Sequence, residues 1–177
     1  DYNGAEARTL LALRGEEQPE GDIHAWNIEN VIGDKYIRRE EAKTLFFSWL
    51  YNPESTAFNS SIYDRKKILD THYDGEYITT IFGRKLKTTD WKALNYLVQS
   101  TTADLVLERA VAIDKLLEGK RSFISHLVHD EIVIDFADED RELTTIIRDT
   151  FAVNKLDTFL VNLHAGKNYF ELKGLRL

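Results

Sequence analysis

Apolar and polar positions alternate along this chain in two rhythms, one helical and one strand-like. In IRREEAKTLFFSWLY, from about Ile37 to Tyr51, charge fills the first two turns and aromatic residues the last two, which predicts a helix. The polar stretch Asn52–Asn59, containing Pro53, reads as a loop after it and not as a domain boundary. A shorter helix is predicted over Tyr63–Tyr73. THYDGEYITTIFGRKLKTTD then reads as a hairpin, because Asp74-Gly75 suits a tight turn and Tyr77–Phe82 alternates. The longest helix is predicted from Trp91 to Leu117, with Leu94, Leu97, Val98, Leu105, Ala112, Ile113 and Leu116 on one broad face and Gly119 ending it.

SFISHLVHDEIVIDFADED carries two apolar runs around His129-Asp130-Glu131. Adjacent carboxylates inside an apolar strand would be costly to bury. A hairpin between Phe123–Val128 and Ile132–Phe136 relieves that cost by placing both acids at its turn. A helix over Arg141–Ala152 and a last strand over Thr158–His164 complete the layout. The predicted class is α+β with a mostly antiparallel sheet.

Composition narrows the field. The chain has 177 residues, 43% of them hydrophobic, which suffices for one ordinary globular core. No apolar stretch approaches the roughly 18 residues of a membrane span, and the beginning, DYNGAEAR, is not a secretion signal. The chain is therefore expected to be soluble and cytoplasmic. It has no cysteine, which excludes disulfides, thiol nucleophiles and cysteine-ligated metal. It has no methionine either, which leads to the expectation that it is a piece of a longer polypeptide. A net charge of −7 argues against an indiscriminate nucleic-acid coat, although Arg84, Lys85, Lys87 and Lys92 form a local basic cluster. His126 and His129 lie three apart on a strand, hence on opposite faces, and do not suggest a metal clip.

Two groups of residues can carry chemistry. Arg39, Lys43, Phe47 and Tyr51 recur at four-residue steps, so they lie along one slowly turning helical stripe, two cations above two aromatics. Such a stripe can hold a polyphosphate at its basic half and stack a base on its rings. It can equally be a surface helix whose cations pair with Glu40 and Glu41 and whose aromatics are core. The second group is Asp1, before a glycine-containing turn, and Asp130. Side by side they would form an oxygen site for two hard cations, as in-line phosphoryl or nucleotidyl displacement requires; apart, each is a cap or turn residue.

In these same places the chain resembles family A DNA polymerases. DYNGAEARTL resembles their first palm motif, RREEAKTLFFSWLY their fingers helix, ALNYLVQSTTADL their asparagine-and-glutamine helix, and HDE their second metal-binding motif. The four stand in the family's order, and GEYITTIFGRKL and LVNLHAGKNYF are similar to its fingers-to-palm hairpin and final strand. The resemblance implies a polymerase palm with an antiparallel sheet and reduced helical fingers: palm over 1–34, fingers over 35–92 and palm again over 93–177. It implies that Asp1 and Asp130, with the Tyr2 carbonyl, ligate two Mg2+ ions (Mn2+ being able to substitute) and that Glu131 assists there. His24, Arg39 and Lys43 would bind the triphosphate. Phe47 would pack on the incoming sugar and base, Tyr51 would sit at the end of that helix beside the templating position, and Glu6 would close the space of a 2′-hydroxyl. Asn95, Gln99 and His129 would touch the primer–template.

The implied activity is template-directed addition of deoxynucleotides to a primer 3′-hydroxyl in DNA replication, with primer–template DNA and deoxynucleoside triphosphates as partners and no membrane. The alternatives are a degenerate palm acting as a DNA-binding scaffold and a metal-dependent nuclease. Asn52 stands where the family usually has glycine, and Trp91 where a basic residue is common. Bacterial and phage relatives both fit, with the short loop after the fingers helix leaning toward a phage member. The family's thumb and upstream regions are expected outside this chain.

Overall fold

A computed structural model describes residues 1–175. The chain forms two compact units, one of Gly4–Asp104 and one of Asp1–Asn3 with the chain from Leu105 onward.

The first unit begins with α1 (Ala5–Leu13) and α2 (Ile23–Asn27), the latter continuing as a π-helical turn over Ile28–Ile32. Then come α3 (Arg39–Tyr51), α4 (Arg65–His72), the strands β1 (Tyr77–Thr79) and β2 (Lys85–Lys87), and the N-terminal part of α5 (Asp90–Leu116). The helices predicted over 37–51, 63–73 and 91–117 are all present, with ends that differ by no more than two residues. Asp74 accepts from the amides of Glu76 and Tyr77 through Oδ1, so Asp74-Gly75 makes its turn, and Tyr73 bridges Ile78. The longer ladder pairs β1 with β2 antiparallel, Ile78 opposite Leu86.

Packing in this unit is aromatic. Phe46 is fully buried among Trp49, Phe58 and Tyr63, with ring centroids 6.3, 5.6 and 5.6 Å away. Leu10, Leu11, Ile23, Leu94, Leu97 and Val98 close around that cluster. Thr9 and Thr102, both buried, share a hydrogen bond of 3.0 Å that ties α1 to α5.

Gly4 caps α1 with φ 67°, and a Cβ there would stand 2.4 Å from Ile23 Cγ2. Both the left-handed backbone and the close approach require glycine. Gly4→Ala should cost about 2 kcal/mol of stability, measured by urea unfolding, from backbone strain and overpacking together.

The second unit continues α5 to Leu116, with Gly119 at φ 72° beyond it. It then holds β3 (Phe123–Val128), β4 (Glu131–Asp135), a 3₁₀ turn over Asp138–Leu143, α6 (Thr144–Ala152), β5 (His164–Ala165) and β6 (Lys173–Gly174). The α+β class holds, but the strands form three separate two-stranded antiparallel ladders among the described residues. Three expectations need correction. Glu131 is not in the hairpin turn; it opens β4 opposite Val128, leaving His129-Asp130 as the turn. The helix predicted from Arg141 starts at Thr144, because buried Asp140 accepts from the Arg121 and Ser122 amides and the Ser122 hydroxyl and holds the preceding residues in a 3₁₀ turn. Thr158–His164 is not one strand: Thr158 bridges Val153, Val161 bridges Tyr2, and only His164–Ala165 joins a ladder, so no single partner lines that segment.

Among the described residues no helix is long and apolar enough to cross a membrane.

Candidate active site

The carboxylate site lies in the second unit. Tyr2 anchors it: its ring is buried, stacked on Phe151 at 4.1 Å and edge-on to Phe159 at 5.2 Å, and its hydroxyl donates to the Phe151 carbonyl at 2.8 Å. Burial pushes its phenol far up, so it stays neutral. The backbone around it is strung between two segments. The Asp1 nitrogen donates to the Asn162 carbonyl at 3.0 Å, Asn162 N–H returns to the Asp1 carbonyl at 2.8 Å, and Asn3 N–H reaches Leu160 at 2.9 Å. On the other side Tyr2 N–H donates to the carbonyl of Asp130 at 3.4 Å. Asp1 and Asp130, distant in sequence, thus stand on adjoining backbone.

His129 gives the hairpin its turn at φ 53°, a left-handed conformation that a residue with a Cβ adopts at some cost. Glu131, first in β4, accepts from the Tyr169 hydroxyl at 2.9 Å, and that hydroxyl lies 3.2 Å from His126 Nε2. Tyr169 went unnoticed in the sequence. Its only signal was a place in the closing LVNLHAGKNYF segment.

Among the described residues no group of three or more His, Cys, Asp or Glu could form a metal cage. The donor set that is present fits a different coordination. Asp1 Oδ1 is buried and has no hydrogen-bond partner, a costly state for a carboxylate oxygen unless a cation meets it. Magnesium is commonly bound by one or two carboxylates, with the remaining ligands from water and substrate phosphates.

The second set of candidates lies on α3 and its neighbours in the first unit. Lys43, Phe47 and Tyr51, with Glu40, Thr44, Ser48 and Asn52, line an open cleft of about 570 Å³. Phe47 and Tyr51 stack on each other at 5.7 Å; Phe47 is half-buried against the core and Tyr51 is exposed, while Phe46 and Trp49 are fully buried. Of the two cations, Arg39 is held. Its Nε and Nη2 donate to the two oxygens of Asp22 at 3.0 and 2.7 Å, and its Nη1 to Glu40 at 2.5 Å. Glu41 pairs with Arg38 instead. Asp22 also caps α2 by accepting from Ala25 N–H at 2.9 Å, so one side chain sets both α2 and Arg39.

His24 lies buried beside Phe46 and Phe47, with ring centroids 6.0 and 6.3 Å away, and its Nδ1 has no partner. Burial pushes its imidazole down to about 4; Arg39 and Lys43 add to the fall, while Asp22 opposes it. At neutral pH it is uncharged. The unfolded chain takes up this proton near pH 6.5 and the folded chain does not, so stability from this group is complete above about pH 6.5 and is lost as pH falls toward 4. Thermal melts should therefore show a shallower acid loss for His24→Gln across that window; an unchanged slope would remove His24 as the cause.

Tyr51 meets α5. Gln99 Nε2 donates to its hydroxyl at 3.3 Å, and burial raises its phenol, with Gln99 opposing and nearby Glu6 adding to the rise. Asn95 lies one turn before Gln99 with its Oδ1 buried and unpartnered. The first unit thus gathers Glu6, Tyr51 and Gln99 in one neighbourhood and His24, Arg39, Lys43 and Phe47 in an adjoining one. The basic cluster is weaker than the sequence suggested, because Arg84 pairs with Asp104 at 2.8 Å and Lys87 with Glu76 at 2.7 Å.

No protein-family model matches the chain. Over 84 residues, 46% of its length, it is 31% identical to DNA polymerase I of Synechocystis sp., of which this covers 8%. In fold it is similar to the POL domain of Pol1 from M. smegmatis, solved in complex with DNA primer–template and dNTP: the TM-score is 0.68, with 21% identity, over 91% of this chain and 37% of that one. The chain therefore spans only a small part of these relatives. The resemblance to family A DNA polymerases and the polymerase-domain fold are both borne out.

Proposed function

We propose that this chain is the palm-and-fingers part of a DNA-directed DNA polymerase that adds deoxynucleotides to a primer 3′-hydroxyl and releases pyrophosphate in replication. The observation that carries the reading is the Tyr2 N–H bond to the Asp130 carbonyl, which brings two aspartates distant in sequence onto adjoining backbone, where Asp1 Oδ1 is buried without a partner.

In this reading Asp1 and Asp130, with the Tyr2 carbonyl, hold two Mg2+ ions. Bound there, the ions would lower the pKa of the primer hydroxyl and offset charge on the reacting phosphate. The protein's own residues do the rest. Arg39, oriented by Asp22, and Lys43 bind the triphosphate and stabilise the leaving pyrophosphate as the bond from the 3′-oxygen to the α-phosphorus forms and the α–β bridge breaks. His24, uncharged, contributes a hydrogen bond and no third cation. Phe47 packs on the incoming sugar and base, Tyr51 stands beside the templating position, Glu6 excludes a 2′-hydroxyl, and Gln99, Asn95 and His129 touch the primer–template. Glu131, steadied by Tyr169, stands beside the metal aspartates. No covalent nucleophile is required.

The test is a labelled primer on four templates differing in the next base. The reading expects Mg2+-dependent addition of the complementary deoxynucleotide in each case and poor use of ribonucleotides. Addition without regard to template, or degradation of the primer, would favour the scaffold or nuclease alternatives. Phe47→Tyr offers a finer check. A hydroxyl at that position should substitute for the absent 3′-hydroxyl of a dideoxynucleotide, raising its use relative to the deoxynucleotide in single-turnover competition.

A further inference from the structure

The last turn of α3 carries Tyr51, and a residue outside the helix finishes it. The final carbonyls of a helix have no partner within it. For Trp49 the natural donor would be the amide of residue 53, and Pro53 has none. A left-handed glycine is not used either, since Asn52 is extended at φ −112°, ψ 106°. Arg65, the first residue of α4, supplies the missing donors. Its Nη2 donates to the carbonyls of Trp49 and, at 3.3 Å, Asn52, and its Nη1 to that of Pro53. The guanidinium lies over the Trp49 indole, 4.8 Å from the ring centroid, and the indole is fixed in turn by its own N–H to Asn59 Oδ1 at 2.6 Å. A cation here also meets the negative end of the helix dipole.

We propose that Arg65 is a positioning residue for the template-facing end of the nucleotide cleft. By bonding three carbonyls around Pro53 it fixes the turn that aims Tyr51, and with it the stacked Phe47. This rests on reading α3 as the nucleotide helix. The role suits arginine specifically. A planar fork can reach several carbonyls while lying flat on an indole, and an ammonium group can do only part of this.

The experiment compares Arg65→Ala and Arg65→Lys with the wild type in primer extension and in amide hydrogen exchange. Arg65→Ala should raise the KM for the templated deoxynucleotide about tenfold, change kcat by less than about threefold, and increase misincorporation. Arg65→Lys should recover part of the loss. Exchange at Leu50–Asn52, where the Asn52 amide bonds to Ser48 at 3.0 Å, should be faster in Arg65→Ala and intermediate in Arg65→Lys. Unchanged exchange in either variant would overturn the proposal. So would faster exchange with wild-type KM and misincorporation, or, should Arg65→Ala not fold, wild-type values in Arg65→Lys. If the wild type itself adds no nucleotide, the polymerase reading fails, while exchange still decides whether Arg65 holds the turn.

Discussion

Asp130→Ala is expected to lower the single-turnover rate of nucleotide addition by about 10³-fold or more, while the melting temperature stays close to that of the wild type. The two halves of this expectation have separate grounds. Asp130 sits in a two-residue turn held by the β3–β4 ladder, and the bond it receives from Tyr2 goes to its main-chain carbonyl, which alanine keeps. Its carboxylate packs into no core. The loss should thus fall on the chemical step, with the KM for the deoxynucleotide little changed, since the proposed triphosphate contacts come from α3. Asp140 provides the contrast within the same unit. Its buried carboxylate is consumed by Arg121 and Ser122, which hold its pKa below the ordinary range, and removing it should unfold the 3₁₀ turn first.

Lys43→Ala should cost about 10²-fold in kcat/KM for the incoming nucleotide, the scale expected when one charged stabiliser of a developing phosphate charge is removed. Lys43 is the cleaner probe of the two cations. Arg39 is gripped by Asp22 and Glu40, so truncating it also takes the guanidinium away from Asp22, the residue that caps α2. Lys43 is exposed and lines the cleft one turn before Phe47, so alanine there changes charge without disturbing the aromatic core. Steady-state kinetics over a range of deoxynucleotide and salt concentrations would measure it; a kcat/KM within twofold of wild type would remove the α3 stripe from phosphate binding.

Much of this was legible because it is periodic. Four-residue steps marked Arg39, Lys43, Phe47 and Tyr51, and charge between apolar runs marked the hairpin turn, though with Glu131 counted in it. What escaped depends on main-chain partners or on contacts from distant segments. Arg8 is wholly buried, donating to the carbonyls of Pro19 at 2.9 Å and Gly21 at 2.7 Å just before Asp22. Arg65 bonds carbonyls, which carry no sequence signature. Tyr169 meets Glu131 from a segment whose own strand character is slight. The run 158–164 is apolar enough for a strand, but a ladder also needs a continuous partner, and here successive residues face different ones. The net charge of −7 was misleading in sign for a protein read as a DNA polymerase, and even the basic cluster proved half neutralised by Asp104 and Glu76.

The central claim is that Asp1 and Asp130 form one catalytic centre for templated nucleotide addition. Single-turnover incorporation by the wild type, Asp1→Ala, Asp130→Ala and the double variant tests it most directly. If the two act as a unit, each single variant falls to the same low rate as the double, and the wild type adds the complementary deoxynucleotide with one pyrophosphate released per addition. A wild type that adds nothing, or single variants whose losses are small or simply multiply in the double, would contradict it.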